Sequence, residues 1–279
     1  MKLLRYGEAG AERPALLHTD GTMRDLSAHV PDIDAATLPD LDRLRAVDPD
    51  SLPKIDGTPR IGPCIARVGN FIAVGLNYAD HARESGMAIP AEPILFNKAP
   101  SSLSGPNDPI RIPKGSTKLD WEVEIAIVIG QPLHAVTEAE ALNGIAGYCI
   151  CHDVSERGWQ QERGGQWTKG KSAPGFGPLG PWLVTPDEIA DVQALGLSLD
   201  VNGERMQTGS TATMIFPVAH LVSYCSTFMR LEPGDVITTG TPPGVGMGMT
   251  PQRFLKAGDV VHLAIDGLGR QRQTVVAHG

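Results

Sequence analysis

Asp120-Trp121-Glu122-Val123-Glu124-Ile125-Ala126-Ile127-Val128-Ile129 alternates Trp121, Val123, Ile125, Ile127 and Ile129 with Glu122, Glu124, Ala126 and Val128. A period of two, with β-branched residues on one side, is the pattern of a strand. Glu122 and Glu124 therefore share a face, with Cβ atoms roughly 7 Å apart after two residues of rise. Two carboxylates projecting from so apolar a strand repel one another unless positive charge sits between them. A divalent cation meets that need. An E-x-E pair alone is more often the solvated side of an antiparallel strand, so the surrounding sequence has to decide.

C-terminal to this strand, Thr137 to Glu140 has the T-x-x-E spacing of a capping box, which predicts a short helix leading to the next apolar run, Gly147-Tyr148-Cys149-Ile150-Cys151-His152-Asp153. Asp153, where that strand gives way, is a third carboxylate. A helix over Val154 to Arg163 would put Asp153, Arg157 and Gln160 on one face, aiming a guanidinium and an amide at the same region. Three carboxylates without paired His or Cys favour a hard cation held by oxygen: Mg²⁺, Mn²⁺ or Ca²⁺ before Zn²⁺.

N-terminal to it, Phe71 to Leu76 reads as a short strand leading into Asn77-Tyr78-Ala79-Asp80-His81-Ala82-Arg83-Glu84. His81 and Glu84, three apart on a helix, are neighbours, so the carboxylate can orient the imidazole and raise its basicity. That is the outline of a general-base pair, although from spacing alone two surface residues side by side are the commoner case. Gly86, Pro90 and Pro93 flank the pair as they would a hinged loop. Lys98 ends the strand Ile94 to Lys98 and is either a source of positive charge near the site or a plain surface lysine.

Two glycine-rich stretches invite a nucleotide reading. Gly165-Gln166-Trp167-Thr168-Lys169-Gly170-Lys171-Ser172 satisfies G-x-x-x-x-G-K-S, but a phosphate loop must follow a buried strand and open a helix. Here polar sequence precedes it and Ala173-Pro174-Gly175-Phe176-Gly177-Pro178 follows, so Lys171 is assigned to an acid-binding site instead. Gly240-Thr241-Pro242-Pro243-Gly244-Val245-Gly246 has no following helix and is no dinucleotide fingerprint. Its amides and the Thr241 hydroxyl are expected to close on a substrate carboxylate.

Elsewhere, residues 1 to 30 read as strands around a turn at Thr19 to Thr22, and residues 1–66 as a small N-terminal domain ahead of a second domain, 67–279. Trp182 to Val184 reads as a strand, Pro186 to Leu195 as a short helix, and Leu197 to Met206 as a hairpin around Asn202-Gly203. Pro217 to Met229 reads as an amphipathic helix with Leu221, Val222, Cys225, Phe228 and Met229 inward. Strands outnumber helices without regular βαβ alternation, which predicts a mixed, mainly β fold. A net charge of -8 with no basic cluster excludes a nucleic-acid partner. No apolar run has the length of a membrane span, and Cys64, Cys149, Cys151 and Cys225 lack disulfide or C-x-x-C spacing, so a reduced, cytoplasmic protein is expected.

W-E-V-E-I, then C-H-D-V-S-E-R, then T-K-G-K-S, then T-T-G-T-P-P-G-V-G resembles the fumarylacetoacetate hydrolase family in order and separation, from about Arg67 onward. The resemblance implies a rolled β-sandwich, dimeric or built of dimers. It implies metal ligands at Glu122, Glu124 and Asp153, substrate contacts at Arg157, Gln160, Lys171 and Thr241, and a water-activating pair at His81 and Glu84 on a mobile lid. Lys171 would also steady the enolate. D-V-S-E-R followed by Q-x-E-R-G-G-Q-W-T-K-G-K-S is most similar to bacterial sugar-acid enzymes. These hydrolyse the C3–C4 bond of 2,4-diketo-3-deoxy acids derived from rhamnose or fucose, giving pyruvate and lactate. Ureidoglycolate lyase and oxaloacetate decarboxylase chemistry, which use the same metal-enolate logic, are the alternatives.

Overall fold

The strand carrying the two glutamates forms over Val123–Ile129 and lies inside a ten-stranded sheet. It pairs antiparallel with Ile145–His152 on one side and with Val236–Thr238 on the other. The computed structural model describes residues 1–84, 86 and 88–278. Both faces of the strand are covered. Val123, Ile125, Ile127 and Ile129 pack against Leu197, Leu199, Val261 and Leu263 of the second, five-stranded sheet. Ala126 and Val128 face the other way, into a separate core with Leu3, Leu16, Leu26 and Ile33. The alternation therefore separates two cores rather than core from solvent. Truncating Ile127, fully buried in the first of these cores, to Ala would cost about 2–5 kcal/mol.

The N-terminal strands Lys2–Tyr6, Arg13–Leu17 and Met23–Asp25 continue the main sheet, because Leu3 pairs with Leu183 of the strand Gly177–Val184. That strand begins five residues before the expected Trp182. Its glycines and prolines do not read as a strand, yet Ile150 and Cys151 pair with Gly180 and Leu179 across it. The mixed, mainly β class is observed.

Three local expectations need correction or refinement. Pro186 to Leu195 is not one helix but two 3-10 turns, Pro186–Glu188 and Val192–Ala194, because Ile189 and Asp191 adopt extended backbone and Asp191 starts the second turn by accepting from the Gln193 amide. In the helix Val218–Phe228, Leu221, Val222 and Cys225 point inward, but Phe228 is 61% exposed. It lies four residues beyond Tyr224 on the outer face and packs edge-on against that ring. The expected helix after Asp153 is short, Arg157–Gln161, with the two-residue strand Ser155–Glu156 intervening. Among the described residues no helix is long and apolar enough to cross a membrane.

Candidate metal centre and active site

Antiparallel register assembles the acidic cluster. Cys151 lies opposite Glu124 and His152 opposite Val123, and the Asp153 amide donates to the Glu122 carbonyl at 3.0 Å. Asp153 thus falls on the same face as both glutamates. One ligand atom from each of Glu122, Glu124 and Asp153 lies within 4.8 Å of the others, and all three residues are buried.

Buried cations thread this cluster in an alternating chain. Lys98 Nζ donates to Asp153 Oδ1, and Lys171 Nζ to Asp153 Oδ2 at 2.6 Å and to Glu122 Oε2 at 2.5 Å. Arg157 donates to Glu122 Oε1 at 2.6 Å, to Asp120 Oδ2 at 2.8 Å and to Gln160 Oε1 at 2.9 Å. Lys98, Asp153, Lys171, Glu122, Arg157 and Asp120 carry three charges of each sign and sum to zero.

Glu124 is outside that balance. Its carboxylate accepts from the Gly240 amide at 2.9 Å. Burial, with the charges of Asp153 and Glu122 added, pushes its carboxyl well above the ordinary range. Glu122 behaves oppositely: burial raises it, but Arg157 and Lys171 outweigh that and hold it at about 2. Once ionised, Glu124 would add one negative charge among converging oxygens, the electrostatic condition for a hard divalent ion, and the donor set fits one.

The proposed base sits in the same pocket, which is lined by His81, the three carboxylates, Arg157, Gln160, Gln161, Lys171 and Thr241 together with apolar residues. His81 Nδ1 lies 3.2 Å from Glu84 Oε2 within the helix Ala79–Glu84. Lys98 is no surface lysine; it is buried and also donates to the Lys171 carbonyl at 2.6 Å. The G-x-x-x-x-G-K-S stretch ends in a one-turn helix, Thr168–Lys171, that delivers Lys171 to the acids.

The glycine-rich loop has a different use from the one expected. Its amides hold the protein's own carboxylates: Gly240 binds Glu124, Gly244 binds Glu84 at 2.9 and 3.0 Å, and Gly246 and Met247 bind Asp120 at 2.7 and 3.0 Å. Gly244 has φ of +106°, and a Cβ there would fall 1.9 Å from the Met206 carbonyl oxygen, so no other residue fits without rearrangement. The Thr241 hydroxyl donates to the Val123 carbonyl and accepts from Gln207 Nε2.

Asp120 and Gln207 escape the sequence reading. Asp120 had a signal, because it precedes Glu122 by the same two-residue step that separates Glu122 from Glu124. Gln207 had none: it is one amide in a polar strand, yet it is buried and its Oε1 accepts from the Val123 amide at 3.0 Å.

The fold and the site define a class: packed β-sheets around a carboxylate cluster suited to a hard divalent ion. The family profile described as fumarylacetoacetate (FAA) hydrolase C-terminal matches residues 70–276. The chain belongs to the fumarylacetoacetate hydrolase family. A Burkholderia ambifaria relative, provisionally described as a hydrolase, is 61% identical over 277 residues, 98% of each chain. A fumarylacetoacetate hydrolase structure from Exiguobacterium antarcticum is 38% identical with a TM-score of 0.90, covering 100% of both chains. Maleylpyruvate hydrolase from Sphingobium sp. SYK-6, solved with manganese(II) and pyruvate, is 26% identical with a TM-score of 0.82, again over 100% of both chains.

Proposed function

We propose that this protein is a divalent-metal-dependent hydrolase that cleaves the C3–C4 bond of a 2,4-diketo-3-deoxy sugar acid, of the rhamnonate or fuconate type, to pyruvate and lactate. The observation that carries the reading is Glu124, a buried carboxylate with no cation partner among the described residues, beside a neutral chain of ion pairs. Mg²⁺ is the proposed ion. The manganese(II) and pyruvate held by the Sphingobium maleylpyruvate hydrolase support both an oxygen-bound cation and a pyruvate-forming reaction. When bound, the ion supplies Lewis-acid stabilisation of negative charge on oxygen.

The chain's own residues supply the rest. Glu84, fixed by the Gly244 amide, holds His81 through Nδ1, leaving Nε2 to take a proton from water. The water oxygen adds to C4, the C3–C4 bond breaks, and its electron pair passes into the enolate of pyruvate. Lys171 spends two of its three N–H bonds on Glu122 and Asp153, so a third remains for the oxygen where that charge lands. The proton held by His81 returns to C3, and the lactate carboxyl keeps the oxygen of water.

The test incubates purified protein and Mg²⁺ with six-carbon 2,4-diketo-3-deoxy acids and with oxaloacetate, following products by NMR in H₂¹⁸O. Equal amounts of pyruvate and lactate, with label in the lactate carboxylate, are expected. Release of CO₂ from oxaloacetate with no cleavage of any diketo acid would replace the hydrolase by a decarboxylase. A homodimer or dimer of dimers is part of the proposal, and sedimentation equilibrium tests it.

A further inference from the structure

How the base pair is held points to a residue outside it, on the reading of His81 and Glu84 as the pair that activates water. Glu84 is the last residue of the helix Ala79–Glu84, and its long side chain is only partly buried. Left free, such a side chain samples several rotamers and orients nothing. A turn far along the chain fixes it. The Gly244 amide donates to both carboxylate oxygens, at 2.9 and 3.0 Å, while Oε2 lies 3.2 Å from His81 Nδ1.

Gly248 completes the contact. A Cβ there would fall 2.7 Å from both Cγ and Cδ of Glu84 and 3.0 Å from its Oε2. Gly244 needs glycine for its left-handed backbone, but Gly248 lies outside that region. The three nearest atoms that its Cβ would meet all belong to Glu84, so the glycine at 248 is explained by that side chain alone. The turn is itself pinned. The indole of fully buried Trp121 donates to the Gly244 carbonyl at 3.0 Å. Asp120 accepts from the Gly246 and Met247 amides with the same carboxylate that holds Arg157. The two residues that precede Glu122 thus tie the turn to the segment leading into the acidic strand.

We infer that the turn Gly244–Gly248 is a seat for the Glu84 carboxylate and that Gly248 is a positioning residue for the proposed reaction, acting on His81 through Glu84. Gly248 borders, with Glu84, Gln161 and Met249, an open space adjoining the acidic pocket. A methyl group at 248 takes room that only the flexible end of Glu84 occupies, and that space can receive the displaced carboxylate.

Gly248→Ala is the variant that tests this, with one readout that needs no turnover. Proton–nitrogen NMR of the full chain labelled at histidine follows the His81 Nδ1–H, assigned by its loss from His81→Ala. Wild type is expected to show it downfield and protected from exchange, and both Gly248→Ala and Glu84→Ala should lose it. Steady-state kinetics on the cleaved diketo acid should show kcat of Gly248→Ala lowered by about ten- to a hundredfold, the scale of an ångström of misplacement, with KM within about twofold. In a Glu84→Ala background there is nothing to displace, so adding Gly248→Ala should change kcat by less than about twofold. An unchanged signal with unchanged kcat in Gly248→Ala overturns the inference, as does absence of the signal from wild type. An equal fall of kcat in both backgrounds also overturns it, because the effect would not pass through Glu84. Should Gly248→Ala fail to fold, the double variant with Glu84→Ala is expected to fold, and its failure to do so overturns the seat. If the signal is lost as expected while no diketo acid is cleaved, the hydrolase reading fails and the seat stands.

Discussion

The ammonium of Lys98 donates to the backbone carbonyl of Lys171 at 2.6 Å while both lysines share the carboxylate of Asp153. One buried lysine thereby fixes the backbone that presents the other. Lys98→Met keeps the volume but strands an Asp153 oxygen and a carbonyl. Breaking a buried pair from one side typically costs about 3–5 kcal/mol, and urea unfolding of the metal-free protein is expected to show a loss of that order. A loss below about 1 kcal/mol, the worth of a surface pair, would mean that Lys98 does not hold Asp153.

Glu124→Gln is expected to act with opposite signs on the metal-free and metal-loaded protein. With its carboxyl raised by burial and by Asp153 and Glu122, folded Glu124 keeps a proton that the unfolded chain releases above its ordinary value of 4.5. The folded state then binds more protons than the unfolded one, so this contribution to stability is full below 4.5 and is lost as pH rises through the raised value. The variant has no such proton. In EDTA, its stability relative to wild type should therefore climb as pH is taken upward from 4.5. Saturating Mg²⁺ should reverse the order, stabilising wild type by about 2.7 kcal/mol at a hundredfold excess over Kd and the variant far less. Thermal melts across pH, with and without the ion, check both signs, and identical melting profiles for the two proteins would remove Glu124 from the metal site.

Gln207 ties the second sheet to the floor of the pocket. Its Oε1 accepts from the Val123 amide, and its Nε2 donates to Thr241 Oγ1 at 2.9 Å and to the Pro242 carbonyl at 2.7 Å. Gln207→Leu leaves a buried amide and a buried carbonyl without partners, each costing about 1–3 kcal/mol. A loss of roughly 2–4 kcal/mol in urea unfolding is expected, together with a raised KM, because Thr241 and the start of the glycine-rich loop lose their anchor. Unchanged stability would show that the strand relaxes to satisfy those groups.

How much of this was legible depends on how local each cause is. Strand periodicity is local, so the shared face of Glu122 and Glu124 can be read directly, and the apolar run ending at Asp153 supplies the third acid. The burial of the outer side of that strand is not local. It depends on N-terminal strands that reach the sheet through Leu3 and Leu183, across a Gly/Pro-rich segment whose composition argues for a loop. The glycine-rich loop shows the same limit. Its freedom to approach something anionic is written in its composition, but that the anions are Glu124, Glu84 and Asp120 is decided by folding. Lys98 is the sharpest case, since nothing around it in sequence distinguishes a buried cation from a surface one.

The last prediction concerns His81. Its Nδ1 faces Glu84, and Glu84 is in turn held by the Gly244 amide, so the ring is oriented by a loop whose amides also hold Glu124 and Asp120. A base that acts only as water attacks contributes to the transition state and not to ground-state binding. His81→Ala should therefore lower kcat by about 10²–10⁴ with KM nearly unchanged. Glu84→Gln retains a side chain that can still accept from Gly244 but loses the charge that steadies the imidazolium. Its kcat should fall less than that of His81→Ala, and the double variant should be no worse than His81→Ala alone, as for residues that act as a unit. Steady-state kinetics of the three variants decide the matter. A rise in KM with kcat preserved in His81→Ala would make the histidine a binding residue, and multiplicative losses in the double variant would show that the two side chains act separately.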